Sequence, residues 1–264
     1  MSPLGEETRG FFIVVSIGTD GMGCMRVDGG ARDGDAIRRM FGGIAPRYDL
    51  LNRLLSLARD RYWRREAVAQ AQLHSGGVAL DVCTGTADMA LELAKQFPSA
   101  KVIIGVDFCL PMIRIAAEKV TRKGLTDRIR LQVGSAEALP FGADTFDAVT
   151  VAFGIRNVVD RKCGLAELCR VLHPGGVGIV LEFAVPQGPL FGWLYRLYFH
   201  RALPWLGGLI SGDPQAYTYL PASVSAFPAP QELSRMMEEV GFRDVYFRTM
   251  TGGIVTLHVG KKLA

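Results

Sequence analysis

Cysteine is sparse and scattered in this chain of 264 residues. The five present (Cys24, Cys83, Cys109, Cys163 and Cys169) are odd in number and show no CxxC spacing. That pattern supports neither a disulfide framework nor a zinc site, and it fits a reducing, cytoplasmic setting. Cys83 and Cys109 flank the most informative stretch of the chain, but as residue types they read as small apolar packing. Long hydrophobic runs are also missing. A spanning helix needs roughly 18 or more apolar residues, and Phe11–Ile17 (FFIVVSI) is the nearest approach at only seven. It is a poor signal-peptide core, because Arg9 is the only cation before it, acids lie nearby and no small-residue cleavage site follows. Residues 1–32 are therefore expected to form a loosely ordered extension. Charge of one sign is not in excess: the net charge of +4 argues against a nucleic-acid partner. The early arginines, from Arg38 to Arg65, read as a solvated helix face. Internal repeats and low-complexity tracts are absent too. What remains is 49% apolar and 21% charged, a balance that calls for a packed α/β core in residues 33–264.

The chain is organised around Gly77–Met89, GVALDVCTGTADM. Val78-Ala79-Leu80 reads as a buried strand that ends at Asp81. Thr84-Gly85-Thr86-Ala87 makes a small-residue turn, and Asp88 opens a helix reaching Gln96. A strand, turn and helix of this kind aim backbone N–H groups and a helix N-terminus at a nucleotide-like ligand. Before it, Ala36–Ala71 is helical with a break at Pro46, and residues 36–73 are expected to form a lid over the strand's carboxyl end. Met40, Phe41 and Tyr48 are candidate ligand contacts or core residues. Four further apolar runs follow: Lys101–Val106 ending in Asp107, Ile129–Val133, Thr145–Ala152 and Val177–Phe183. His173-Pro174-Gly175-Gly176 reads as a helix stop and turn before the last of them.

Near-continuous apolar strands alternating with helices mean a parallel sheet covered on both faces. Ligands bind such sheets beyond the carboxyl ends of the strands. Asp81, Thr86, Asp107, Ser135, Ala136, Phe153, Arg156 and Glu182 all fall at those ends. An acid at the end of the second strand is placed to accept hydrogen bonds from both ribose hydroxyls. Residues 186–230 break the alternation with an aromatic-rich insert suited to a large apolar substrate or an oligomer contact. Arg243–Thr249 and Ile254–Gly260 read as a closing antiparallel hairpin.

The turn after the first strand lacks the GxGxxG spacing of a dinucleotide dehydrogenase. Five strands, the LHPGG turn, GSAEALPF and the terminal hairpin instead resemble a class I S-adenosylmethionine-dependent methyltransferase. MFGGIAPRYDLLNRLLS (Met40–Ser56), AFGIRNV (Ala152–Val158), LEF (Leu181–Phe183), AYTYLPASV (Ala216–Val224) and GGIVTLHVG (Gly252–Gly260) are similar to the C-methyltransferases of menaquinone and ubiquinone biosynthesis. The similarity runs from about Ala36 to Lys262. It implies an α/β, Rossmann-like, seven-stranded and mostly parallel sheet with an antiparallel C-terminal hairpin and helices on both faces. It also implies S-adenosyl-L-methionine as cofactor and methyl transfer to a ring carbon of a polyprenylated quinol, demethylmenaquinol first. A ubiquinone precursor, another small-molecule methyl acceptor and a non-catalytic cofactor-binding role stay open.

Residue by residue, the resemblance makes Asp81, Thr86, Asp107, Ser135, Ala136 and Ala152 cofactor contacts. Ser135 stands where a carboxylate or Asn commonly meets adenine, and Ala87 replaces a glycine, which requires helical geometry there. Arg156 is expected to stabilise a developing phenolate, or else to pair with Glu182 or Asp160. Asn157 is expected to orient the quinol oxygen or to cap the next helix. His200, Tyr217 and Tyr219 are candidate acid/base or ring-positioning groups, and Arg47 and Tyr48 could close over the cofactor. No metal is needed. A prenyl tail calls for a long apolar groove, with docking on the inner membrane surface but no span, and a homodimer is compatible with the insert.

Overall fold

A computed structural model describes residues 14–15, 30–186 and 214–263. Among the described residues, three helices precede the main sheet: α1 (Gly30–Ile44), α2 (Tyr48–Leu55) and α3 (Arg59–Val68). A single 3-10 turn at Ala45–Arg47, carrying Pro46, separates α1 from α2, because proline is tolerated only in a first turn. The alternation then runs β2 (Val78–Val82), α4 (Asp88–Gln96), β3 (Val102–Asp107), α5 (Leu110–Arg122), β4 (Ile129–Val133), β5 (Phe146–Ala152), α6 (Arg161–Val171) and β6 (Leu172–Phe183). Helices α7 (Pro214–Ser225) and α8 (Pro230–Glu239) lead into β7 (Phe242–Met250) and β8 (Val255–Lys262).

The strand order is β1-β4-β3-β2-β5-β6-β8-β7, where β1 is the two-residue Val14–Val15 pairing parallel with the edge of β4. Strands β2 to β6 are mutually parallel, and β8 runs antiparallel between β6 and β7. These seven strands are the ones expected from sequence, and β1 adds a short edge inside Phe11–Ile17. The order reverses between β2 and β5, so a crevice opens beyond their carboxyl ends. The pleat sends alternate side chains to opposite faces. Ala79 of β2 and Ile179 of β6 pack with Trp63, Met89, Leu93 and Ile113 from α3, α4 and α5. Leu80 and Val180 pack with Leu165, Leu233 and Met237 from α6 and α8.

One expectation is corrected in part. α6 stops at Val171 as expected, while His173–Gly176 lies within the span of β6 and not ahead of it. The ladder to β5 steps from Phe146–Leu172 to Ala148–Val177, so the Pro-Gly-Gly residues form a wide bulge with Gly175 at φ +81°. Leu172 is fully buried, and its apolar packing holds this end of the strand in the sheet.

Gly178 of β6 and Gly260 of β8 are directly paired and together leave the space that the ring of Phe242 fills. A Cβ at Gly178 would lie 2.3 Å from that ring, which is fully buried. Gly178→Ala should therefore lower unfolding free energy by about 1–3 kcal/mol, the usual cost of overpacking. Urea denaturation checks this, and an unchanged midpoint would mean that Phe242 relaxes without cost.

Candidate active site

The turn between β2 and α4 is fixed by a buried carboxyl. Asp81 is 1% exposed and accepts from the hydroxyls of Thr84 at 2.5 Å and Thr150 at 2.8 Å. Burial pushes its pKa up to about 7 against those two hydrogen bonds. Asp81 thus shapes the turn from beneath. Cys83, Gly85 and Ala87 all take left-handed φ, at 55°, 55° and 67°. Ala87 is therefore not in helical geometry, and its left-handed backbone costs about 1 kcal/mol in an L-residue. Packing enforces this conformation: Ala87 is completely buried. Gly154 closes on the turn so tightly that a Cβ there would sit 2.3 Å from the Cβ of Cys83. Burial, with Asp107 and Asp81 nearby, drives the Cys83 thiol well above its ordinary pKa, so it supplies no thiolate nucleophile.

Beyond the turn lies a cleft, open to solvent, between Gly85, Asp107, Gly134, Ser135, Ala136, Ala152, Phe153 and Asn157. Asp107 closes β3, and its carboxylate accepts from the amides of Gly85 at 2.8 Å and Cys109 at 2.9 Å. Burial raises its pKa to about 6, against the amides of Cys109, Gly85 and Phe108. Only backbone donors hold it among the described residues, which leaves lone pairs on both oxygens for ligand hydroxyls. Ser135 accepts from the amide of Glu137 at 3.2 Å, so its hydroxyl proton is still free to donate into the cleft. Ala136 and Ala152 add small walls on either side. Four of the six expected cofactor residues (Asp107, Ser135, Ala136 and Ala152) thus meet in one cleft.

Thr86 does not join them. Its hydroxyl donates to Asp49 at 2.5 Å and accepts from Lys119 at 3.1 Å. This belongs to a network that the sequence did not reveal. Lys119 of α5 also binds Asp49 at 2.7 Å and reaches Asp88 at the start of α4. Asp88 in turn lies 3.7 Å from Arg64, which is paired at 2.5 Å with Asp60. Burial disfavours the Asp88 carboxylate, but Arg64 and Lys119 outweigh it and hold its pKa below the usual range. The network clamps α2 over the turn, and the ring of Tyr48 consequently stands above Gly85 and lines the cleft with Phe41. Phe41 and Tyr48 meet edge to face at 6.2 Å. Met40, by contrast, packs with Leu51 and Val224 and is core.

The far wall is the 3-10 turn Ile155–Asn157 after β5. Arg156 does not face the cleft. Its guanidinium pairs with the fully buried Glu182 at 2.8 Å and also binds the carbonyl of Phe153, while its amide donates to Glu182 at 3.2 Å. The ion pair with Glu182, one of the arrangements expected for Arg156, is present. Burying Glu182 unpaired would cost several kcal/mol, which explains the pairing. The pair orients the turn so that Asn157 lines the cleft and accepts from the Tyr219 hydroxyl at 2.9 Å. His200 and the side chain of Tyr217 lie outside the described residues. The described residues contain no cluster of metal-ligating side chains and no helix long and apolar enough to cross a membrane.

Asp49→Asn removes the charge that Lys119 and Thr86 share at the roof. Because Asp49 keeps partial solvent access, the loss should be about 1–3 kcal/mol of stability, between surface and buried ion-pair values. Proteolysis within α1–α2 should accelerate in parallel. A variant that melts and is cleaved like the parent would show that apolar contacts alone hold the roof.

Comparison with known proteins places this geometry. Over 229 residues the chain is 51% identical to the ubiquinone/menaquinone biosynthesis C-methyltransferase UbiE of Geobacter sulfurreducens, covering 87% of this chain and 89% of that one. It is also 51% identical to the demethylmenaquinone methyltransferase of Deinococcus radiodurans, covering 87% and 93%. A solved SAM-dependent methyltransferase from Aquifex aeolicus superposes with a TM-score of 0.58 at 18% identity, covering 81% of this chain and 98% of that one, and supports the fold alone. Residues 30–262 match a single family description, and this chain belongs to the ubiE/COQ5 methyltransferase family.

Proposed function

We propose that this enzyme transfers a methyl group from S-adenosyl-L-methionine to a ring carbon of a polyprenylated quinol, demethylmenaquinol becoming menaquinol. One observation carries the reading: a single cleft presents the Asp107 acceptor on one wall and the Asn157 amide on the other. Relatives about half identical to this chain are named for quinone C-methylation in both the ubiquinone and menaquinone branches.

The cofactor fits the residues present. Asp107 would take the ribose hydroxyls, and Ser135 and Ala136 would flank the adenine. The turn from Cys83 to Ala87 would hold the methionine part under Tyr48. When bound, the cofactor supplies an electrophilic methyl on a positively charged sulfur. The protein then has to place the quinol carbon in line and make it nucleophilic. Loss of a phenolic proton to solvent would push an electron pair onto the ortho carbon, which would form the new C–C bond as the methyl–sulfur bond breaks and leaves its electron pair on the now neutral sulfur. That carbon then releases its hydrogen as a proton and the ring is aromatic again, so one C–H has become C–CH3.

Asn157 serves the charged oxygen. Tyr219 donates to its Oδ1, which leaves the Nδ2 hydrogens to point at a developing phenolate. Burial raises the Tyr219 pKa, so its hydroxyl keeps its proton and holds this orientation. Arg156 and Glu182 position the turn from behind. A prenyl tail keeps the substrate in a bilayer, so the enzyme works as a peripheral protein at the membrane surface.

The chain, expressed in a strain blocked in quinone methylation, should restore methylated menaquinone in a mass-spectrometric quinone profile. Restored ubiquinone alone would move the substrate to the other branch, and no methylated quinone would sink the reading. Asn157→Ala should cut turnover about 10–100-fold with cofactor affinity kept, and Tyr219→Phe should cost less.

The pH dependence follows from Asp107. Ligand hydroxyls bind its ionised form. Cofactor affinity should therefore be level above pH 7 and fall by up to about tenfold per unit once the carboxyl protonates below about 6. Calorimetric titration from pH 5 to 8 tests this. The slope should vanish in Asp107→Asn, and a wild-type profile flat to pH 5 would remove Asp107 from cofactor binding.

A further inference from the structure

Helix α2 has two faces with opposite chemistry. Its inner face carries Tyr48 into the cleft, Asp49 into the ionic network and Leu51 into the core. Its outer face should then be polar, yet it presents Leu50 at 53% and Leu54 at 48% exposure, one turn apart. Leu57, one turn further on, is 85% exposed and sits in the corner between α2 and α3 with φ +50°. A leucine that is both left-handed and solvent-exposed is rarely kept for folding, because either feature alone favours a polar residue or glycine there. Tyr62 of α3 extends the patch at 38% exposure, with the Arg65 guanidinium 5.7 Å over its ring.

The charge around these leucines has one sign. The exposed charged residues between positions 47 and 65 are arginines, among them Arg53, Arg59 and Arg61, and Arg65 stands 3.9 Å from the partly exposed Glu66. The two acids in the same span, Asp49 and Asp60, are turned inward and bound to Lys119 and Arg64. Apolar side chains ringed by cations, with an aromatic at the margin, match the chemistry of an anionic lipid surface, where leucines enter the acyl boundary and arginines meet phosphate.

We propose that the α2–α3 corner is the surface by which this protein docks on an anionic bilayer. The inference rests on the quinol reading for its purpose, though not for its test. Docked this way, the helix that roofs the cleft is also the element in contact with lipid. The quinol ring reaches Asn157 past Tyr48 while its tail stays among the acyl chains. The roof is therefore the entry point for substrate.

The test uses the full chain with vesicles of phosphatidylglycerol and phosphatidylcholine, and with vesicles of phosphatidylcholine alone. The variants are Leu50→Asn/Leu54→Asn/Leu57→Asn and Arg59→Gln/Arg61→Gln. None of these residues lines the cleft. Asn also tolerates the left-handed backbone at position 57, and circular dichroism confirms folding. The wild type should co-sediment with anionic vesicles, should release as salt rises, and should ignore neutral ones. Each variant should bind at least tenfold more weakly. Turnover of prenylated quinol in vesicles should fall with it, while turnover of a short-chain, water-soluble quinol stays within twofold of wild type.

Leucine variants that sediment like the wild type would overturn the proposal. So would equal binding to neutral vesicles. A wild-type dimer that the leucine changes convert to monomer, with vesicle binding intact, would assign the patch to a second copy and overturn it as well. If the protein bound anionic vesicles through this corner but methylated neither quinol, the docking surface would stand and the quinol reading would fall.

Discussion

The cleft depends on one carboxylate held between two buried cations. Asp88 opens α4 and meets Lys119 from α5 and Arg64 from α3, while Lys119 passes the contact on to Asp49 of α2. Four helices that border the cofactor turn therefore converge on one ionic knot. Its acids outnumber its cations, with Asp49, Asp60 and Asp88 against Lys119 and Arg64. The helix N-terminus at Asp88 and the Thr86 hydroxyl supply the remaining positive potential and donor. Without the knot, only apolar contacts would set the height of α2 above Gly85. The apolar core beneath sets where the sheet lies, whereas the knot and those contacts set where the lid lies.

A second buried pair does the same for the opposite wall. Glu182 is inaccessible to solvent and accepts from both the backbone amide and Nη1 of Arg156, whose buried Nε has no hydrogen-bond partner among the described residues. The side-chain bonds of Arg156 to Phe153 and to Glu182 both use Nη1 of the guanidinium. The pair fixes the turn that carries Asn157, whose amide is in turn fixed by Tyr219. The polar order runs from Glu182 through Arg156 to Asn157, and only the last member lines the cleft. Preorganised donors are effective because they do not have to reorient as charge develops. The backbone contributes as well: Cys83, Ala87 and Phe153, all non-glycine, stand at positive φ around the same cleft. Backbone strain of this kind is kept where surrounding packing enforces it.

The seven main strands were legible in the sequence because buried parallel strands are nearly continuous apolar runs, and each acid or small residue at a strand end followed from them. Asp107, Ser135, Ala136 and Ala152 converge as that reasoning requires. Thr86 and Arg156 were correctly placed at the carboxyl edge, but their side chains face elsewhere. Position in the chain fixes which strand end a residue occupies. Which way it points there depends on the turn's φ and on which partner is nearest, and neither leaves a local signature. The left-handed Ala87 is one such case, and the bulge at His173–Gly176 is another, since Pro-Gly-Gly marks a break in regular geometry without saying whether pairing resumes. The knot was invisible for a different reason. Lys119 lies seventy positions from Asp49 in the chain, and a lone lysine on a helix reads as a solvated residue until the fold places an acid against it.

The roof is held by charge and by apolar contact together. Of the α2 residues, Leu51 is buried at 4% exposure, in a small cluster with Val224, whereas Leu50 and Leu54 face outward. Lifting this helix would break the contacts of Asp49 and also expose Leu51, whose cluster reaches Phe183 of β6 and Ile254. The turn beneath has its own supports in Asp81 and the close approach of Gly154. That division suits a reaction in which one ligand needs a rigid seat and the other, long and apolar, has to enter from the side.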